Sequence, residues 1–340
     1  MSHQVLAGDI GGTNARLAVV EVGGAVGTRI VHQARYRSSA APGLASLVTR
    51  FLEETGAGPA VACFGIACPV LDGDCEAPNL PWAVNRQALA REIGIPRTAI
   101  INDFGAVGHG LQSLSDAEVV VLQQGTAVEG GPIALIGAGT GLGQSFLLRE
   151  GDRYAVHPSE GGHADFSPTN ALERDLLAFL ALEFGRVSWE RILSGPGLGN
   201  IYRFLKAAGI AEEQAAVRDE IAANDPAPVI TRHGLAGTDP LSLRTLEVFA
   251  GAYGTAAGNV ALSVLASGGV YISGGIAPKL IRQLTSGVFM EAFRNKGRLS
   301  SVVALMPVSV ILTDDVALYG AAAVAAHMLA SVTRSKAKGA

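Results

Sequence analysis

The sequence predicts an α/β protein of two domains. Three observations carry that prediction. The chain has 340 residues, enough for two domains of ordinary size. Apolar strand-like runs alternate with helical patterns along it. One device also occurs twice: an apolar run, a glycine-rich break with a threonine, and a second apolar run, at Val5–Val20 and again at Ile133–Arg149.

Taken in order, Val5 to Val20 reads as two strands joined by a tight hairpin at Gly11-Gly12-Thr13-Asn14. The paired glycines are expected to take positive φ and to leave no side chain in a ligand's way. Gly23-Gly24 and Gly27 punctuate, and Arg29–Tyr36 reads as a third strand. Leu44, Leu47, Val48, Phe51 and Leu52 give Gly43–Thr55 helical spacing. Pro59–Cys68 reads as a buried parallel strand, Asp72-Gly73-Asp74 as a turn, and Asn85 as the cap of a helix through Ile93. Thr98–Ile101 is a short strand running into Asn102-Asp103-Phe104-Gly105.

The second half repeats the plan. Ile133–Ile136 is a strand, Gly137-Ala138-Gly139-Thr140-Gly141-Leu142-Gly143 the break, and Ser145–Arg149 the returning strand. Ala211–Asp225 reads as a charged surface insertion and Leu241–Ala266 as a long helix. Gly269–Ile272 is a strand whose end, Ser273-Gly274-Gly275, is expected to begin a helix. Val308–Leu312 is another strand. Thr313, Asp314 or Asp315 caps the final helix, and residues 333–340 read as a frayed tail.

Composition narrows the function. Apolar residues make up 49% of the chain and charged residues 16%, and the net charge of -4 leaves no basic footprint for nucleic acid. The apolar run Val316–Val332 is interrupted by Tyr319, Gly320 and His327, so it reads as a buried helix and not a membrane span. The N-terminus runs straight into a strand without a basic, apolar leader pattern. Cys63, Cys68 and Cys75 are odd in number and lack metal-ligand spacing, so they are expected to be reduced thiols of a cytoplasmic protein.

The chemistry-bearing residues sit at the glycine breaks. Asp9 ends a buried strand, where a carboxylate can hold Mg²⁺ through water while bare N–H groups cradle phosphate. An ordinary turn aspartate fits the motif equally. No Gly-Lys dipeptide occurs, which excludes a P-loop. The run 137–143 lacks the Gly-x-Gly-x-x-Gly spacing and leads into a strand, which disfavours a dinucleotide site. Two facing hairpins offered to one triphosphate, with the Gly274-Gly275 turn at the adenosine, account for all three. Asp103 can take a proton from a substrate hydroxyl, or it can be part of a strand-end helix cap. Glu160-Gly161-Gly162-His163 can grip vicinal hydroxyls, or it can be a surface loop. Glu190, in Ser188-Trp189-Glu190-Arg191-Ile192-Leu193-Ser194-Gly195-Pro196-Gly197, also fits a capping or helix-surface residue. No cysteine stands near His157 or His163, which argues against structural zinc.

Together these segments resemble the bacterial glucokinase family, hexokinase-like sugar kinases of the actin-type ATPase, ribonuclease H-like fold. The resemblance rests on Asp9 to Asn14, Ile101 to Phe104, Gly139 to Gly143, Glu160 to Phe166, Glu190 to Gly197 and Ser273 to Ile276. It implies a small α/β domain over 1–112, completed by a C-terminal helix at 313–332, and a larger α+β domain over 113–312, the two flanking a cleft. It implies ATP-dependent phosphorylation of glucose at the 6-hydroxyl, or of another hexose such as mannose, fructose or an amino sugar. Asp103 is then the catalytic base. Asn102, Asp103, Glu160, His163 and Glu190 bind the sugar, joined by Asn79 from Pro78-Asn79-Leu80-Pro81-Trp82. Asp9 (with Mg²⁺), Gly11, Gly12, Thr13, Asn14, Gly139, Thr140, Gly141, Gly274 and Gly275 serve Mg-ATP. A related repressor/kinase family carries a zinc cysteine cluster after its Gly-His; Ala164-Asp165-Phe166-Ser167-Pro168 has none, so no zinc is expected. The family also implies a homodimer.

Overall fold

The computed structural model describes residues 3–23, 28–68, 70, 74–75, 80 and 82–338. Gly24, Gly27 and the turn expected at Asp72-Gly73 lie outside the described residues. The chain divides into two compact units, Met1–Ser115 with Asp314–Ala340, and Asp116–Thr313.

The first unit begins with β1 (His3–Ile10), β2 (Asn14–Val22) and β3 (Arg29–Arg37), followed by α1 (Leu44–Thr55) and β4 (Ala62–Ile66). A two-strand pair follows, β5 (Asp74–Cys75) and β6 (Val84–Asn85), then α2 (Arg86–Glu92), β7 (Thr98–Asn102) and α3 (Asp103–Gly110). The main sheet has the order β3-β2-β1-β4-β7. Its first three strands are antiparallel, whereas β1, β4 and β7 run parallel. Parallel strands are covered on both faces. Leu44, Leu47, Val48 and Phe51 of α1, with Leu89 of α2, cover one face over Leu6, Leu17 and Phe64. The other face is sealed from the far end of the sequence. Leu318, Ala321, Ala322 and Ala325 pack on Val5, Ala7, Ala18, Val20 and Cys63.

The second unit contains β8 (Val119–Gln123), β9 (Ile133–Ala138), β10 (Leu142–Glu150), β11 (Arg153–Ser159), α4 (Ala171–Phe184), α5 (Gly195–Ala207), α6 (Ala215–Ala223), α7 (Pro226–Ala236) and α8 (Pro240–Val264). It continues with β12 (Gly269–Ser273), α9 (Ile281–Thr285), α10 (Val288–Arg294), α11 (Ser300–Val303) and β13 (Val308–Ile311). Its sheet has the order β11-β10-β9-β12-β13-β8. Strands β11, β10 and β9 are antiparallel, and β9, β12 and β13 are parallel. That run reproduces β3-β2-β1-β4-β7 strand for strand, with β8 added antiparallel at the edge. The final helix, α12 (Val316–Lys338), belongs to the first unit.

Four expectations need correction. Gly11 does not use positive φ, whereas Gly274 does, at φ 84°. The Gly274-Gly275 turn does not open a helix directly: Ile276 N–H bonds Ala138 C=O, Leu280 N–H closes a turn on Ile276 C=O, and α9 starts only at Ile281. α12 continues to Lys338, past the end expected at Val332. Cys68 and Cys75 are joined as a disulfide, with Cα atoms 6.0 Å apart, inside the bonding range, so the free-thiol expectation holds for Cys63 alone. Burial pushes the Cys63 thiol up to about 12, which keeps it protonated.

Candidate active site

In the first unit the candidate residues Asp9 and Asn102-Asp103 lie at the carboxyl ends of parallel strands. Asp9 pairs in register with Gly65 of β4, and Gly65 with Ile101 of β7. Asp9 and the Asn102-Asp103 step thus stand two strands apart, roughly 10 Å by the usual interstrand spacing. The hairpin tip between them and β2 is closed by Gly11 N–H on Asn14 C=O. Ser38, fully buried, donates its backbone N–H to Thr13 C=O and its hydroxyl to Gly11 C=O.

Asp9 faces Arg16 directly across the β1–β2 pair. Arg16 Nη2 and Nε donate to Asp9 Oδ2 at 2.7 and 3.1 Å. The same guanidinium donates to the Asp314 carbonyl and, at 3.2 Å, to Asp315 Oδ1, which also accepts from Gln33 Nε2 at 2.8 Å. Asp9 is therefore no free turn residue. One of its oxygens is held by a cation tied to the start of α12, and the sequence reading missed Arg16 altogether. The signal was available: an arginine opposite an aspartate in strand register reads as a cross-strand pair.

The Asn102-Asp103 step divides its labour. Asn102 is the N-cap of α3, its Oδ1 accepting from Gly105 N–H at 3.1 Å, while its Nδ2 donates to Cys68 C=O at 3.1 Å. Asp103 sits in the first turn, where Oδ1 accepts from Phe104 N–H at 2.9 Å. The cap is thus Asn102, and that side chain is largely engaged by the backbone. Asn79 lies outside the described residues.

In the second unit, two loops converge beside the β9–β10 hairpin. Glu160 precedes a 3-10 turn at Gly161–His163, and Glu190 lies in a second one at Trp189–Arg191. Backbone bonds lock the loops together: Phe166 N–H on Val187 C=O and Trp189 N–H on Ala164 C=O, both at 2.9 Å. Phe166 and Trp189 add an edge-to-face contact at 5.0 Å. The result places His163 Nε2 3.9 Å from Glu160 Oε2 and His163 Nδ1 3.9 Å from Glu190 Oε1. Those gaps exceed a direct hydrogen bond, so the three groups converge without consuming one another's capacity to bind a polyhydroxyl ligand. Arg186 braces the loop by donating to His163 C=O at 2.6 Å.

The hairpin itself turns at Gly139–Gly141. Gly139 N–H bonds Gly141 C=O at 2.8 Å, and Leu142 N–H bonds Glu190 Oε2 at 3.0 Å. Its base is held by Tyr253 of α8, also unforeseen: the hydroxyl accepts from Ala138 N–H at 3.0 Å and donates to Ser273 C=O at 3.2 Å. Burial pushes the pKa of the Tyr253 hydroxyl up, so it stays protonated. Gly274 stacks on the same Ala138, where an added Cβ would lie 2.4 Å from its carbonyl oxygen. Three of the glycine segments singled out from sequence are thus gathered around one hairpin. Among the described residues, no three His, Cys, Asp or Glu side chains group as a metal cage.

The glucokinase family model matches residues 6–328. The chain belongs to the glucokinase family. Curated family members include a glucokinase from a Nostoc species, 41% identical over 95% of this chain and 99% of its own length. The Synechocystis glucokinase is 40% identical over 96% and 99%. Among solved structures, a glucokinase from an Antarctic psychrotroph superimposes with a TM-score of 0.80 at 31% identity, covering 95% of this chain and 99% of that one. The fold alone extends to a Streptomyces griseus glucokinase solved with glucose and AMPPNP, at TM-score 0.67 and 20% identity. The fold is accordingly the actin-like ATPase fold of the sugar kinases. The two sheets of like topology are its repeated core.

Proposed function

We propose that this glucokinase family member transfers the γ-phosphoryl group of ATP to the 6-hydroxyl of glucose. The observation that carries the reading is the convergence of Glu160, His163 and Glu190 on two interlocked loops whose next neighbour is a glycine hairpin. Sugar-reading carboxylates and phosphate-cradling N–H groups then belong to one rigid assembly. The sugar oxygen forms its bond to the γ-phosphorus as the bond to the β-phosphate oxygen breaks, and ADP leaves. Positioning and charge neutralisation do most of this work. Asp103 accepts the hydroxyl proton. Its rival role as helix cap is filled by Asn102.

Mg²⁺ fits the first hairpin. Asp9 Oδ2 is engaged by Arg16, which leaves Oδ1 to hold a hydrated ion, and one carboxylate plus phosphates and water is the usual Mg²⁺ environment. When bound, the ion neutralises phosphate charge. The phosphate candidates of the first unit are Gly12, Thr13 and Asn14 beside Gly11, whose own N–H is held by Asn14 C=O; those of the second are Thr140 and Gly141 beside Gly139, whose N–H is held by Gly141 C=O, with Gly274 and Gly275 as the adenosine candidates. Family membership supports a homodimer and a cytoplasmic location.

Asp103→Asn tests the base. The exchange is nearly isosteric and keeps a hydrogen-bonding group for the hydroxyl, but the amide cannot accept the proton. Turnover is expected to fall by about 10²–10⁴ while glucose affinity changes little. Turnover within a few-fold of wild type would remove Asp103 from the mechanism. A coupled assay across glucose, mannose, fructose and amino sugars is expected to favour glucose, because a wrong epimer leaves polar partners unpaired. A preference for another hexose would reassign the substrate and keep the chemistry.

A further inference from the structure

Leu142 is where the two ligand-binding halves of the second unit meet. Its N–H is held by Glu190 Oε2. Its carbonyl is covered by the sugar-side loop so closely that a Cβ on Gly162 would lie 2.0 Å from it. The segment carrying Glu190 grips the hairpin a second time, through Gly195 N–H on Gly139 C=O at 2.8 Å. Ser194 stiffens that segment by donating its hydroxyl to Glu190 C=O at 2.7 Å while capping Gly197 N–H at 3.0 Å.

We propose that Glu190 is a positioning residue that couples glucose to the phosphate hairpin, one carboxylate oxygen serving each. The proposal rests on the glucokinase reading of this site. Oε1 faces His163 and is open to a sugar hydroxyl, and Oε2 holds Leu142 N–H. A hydroxyl bound at Oε1 fixes the carboxylate. That fixes the Leu142 bond and orders the Gly139–Gly141 turn before nucleotide arrives. Nucleotide then meets a hairpin whose ordering cost has been met, and its affinity rises. By linkage, nucleotide must tighten glucose by the same factor.

Two glycines, one in the turn and one in the segment that grips it, separate this coupling from a general effect of disturbing the hairpin. A Cβ on Gly141 would lie 2.5 Å from Glu190 Oε2, the far end of a flexible side chain, so Gly141→Ala displaces the carboxylate without threatening the fold. A Cβ on Gly195 would meet the Gly139 carbonyl oxygen and Ala227 Cβ at 3.7 and 3.8 Å, ordinary contact distances. Glucose binding is measured by calorimetry on the full chain, without nucleotide and with AMPPNP. Wild type is expected to bind glucose about five-fold or more tightly with AMPPNP present. Gly141→Ala is expected to weaken nucleotide-free glucose binding by about the same factor and to bring the AMPPNP effect close to one. Gly195→Ala is expected to leave nucleotide-free glucose binding unchanged. In wild type, glucose alone is expected to slow hydrogen exchange of the Leu142 amide. Nucleotide-free glucose affinity in Gly141→Ala within two-fold of wild type would overturn the coupling, as would an unchanged Leu142 amide should that variant not fold. A wild-type chain that binds no glucose would instead overturn the functional reading beneath it.

Discussion

The hairpin of the first unit turns at Gly11–Thr13 and that of the second at Gly139–Gly141, and each opens a sheet with the same strand order. They are fastened by different physics. The first carries a charge pair across its own strands, Asp9 opposite Arg16, anchored further to the residues that begin α12. The second has Gly137 opposite Gly143 at that level and borrows its fastening from elsewhere: a buried tyrosine hydroxyl at the base and a carboxylate from another loop near the tip. A charged fastening keeps an anionic oxygen fixed where a hydrated cation can use it. A borrowed one lets a loop that reads another ligand influence the turn. One topology, used twice, is thus fastened in two ways, which suits the two duties proposed for it in phosphoryl transfer.

Removing each fastening tests the contrast. Arg16→Met keeps the apolar stem but leaves Asp9 unpaired beside the Asp314 carbonyl and Asp315. Only 10% of the Arg16 side chain and 24% of the Asp9 side chain are exposed, so water replaces little of the lost charge. The expected loss is about 3 kcal/mol, the lower end for breaking a buried pair, read as a fall in the urea midpoint. An effect below about 0.5 kcal/mol, the size of an exposed pair, would erase the distinction. Tyr253→Phe leaves Ala138 N–H without its partner in a dry core and is expected to cost about 1–3 kcal/mol in the same measurement. A neutral result would mean that the second hairpin is held by packing and Glu190 alone. Arg35→Ala removes an exposed partner, 3.8 Å from Asp314 and with 59% of its side chain open to solvent. Its expected effect is under about 0.5 kcal/mol, and a larger one would extend the charged anchor beyond Arg16.

Much of this was written in local sequence. Period-two runs broken by glycine located both hairpins, and Asn85 announced its helix by the capping chemistry it uses, accepting from Ala88 N–H. Asp9, Glu160, His163 and Glu190 were each open to a plain turn, loop or cap reading on local sequence, and the family resemblance singled them out. The contacts that make the site work were harder to read. Tyr253 lies 115 residues from the N–H it binds, inside a helix where a tyrosine looks like core. Glu190 lies 48 residues from Leu142, and its bond depends on two loops docking first. Asn102 was legible as a cap or a ligand, and only the built helix shows that the cap claims it. Periodicity reports what one element does with its own neighbours and is silent on pairings created by tertiary structure.

The return of α12 to the first unit has a consequence for how the molecule is made. The first unit is discontinuous, and the second is an unbroken insertion within it. During synthesis β1 leaves the ribosome roughly three hundred residues before Leu318, Ala321, Ala322 and Ala325, which dry one face of its sheet. The second unit has all its strands in hand well before then. Closing the long intervening chain as a loop costs entropy that grows only slowly with its length, but less of it once that chain is compact. Connectivity allows the inserted unit, complete by Thr313, to fold before α12 has been made, whereas the outer unit is incomplete until then. The unit that carries the proposed base has one sheet face uncovered until α12 is made.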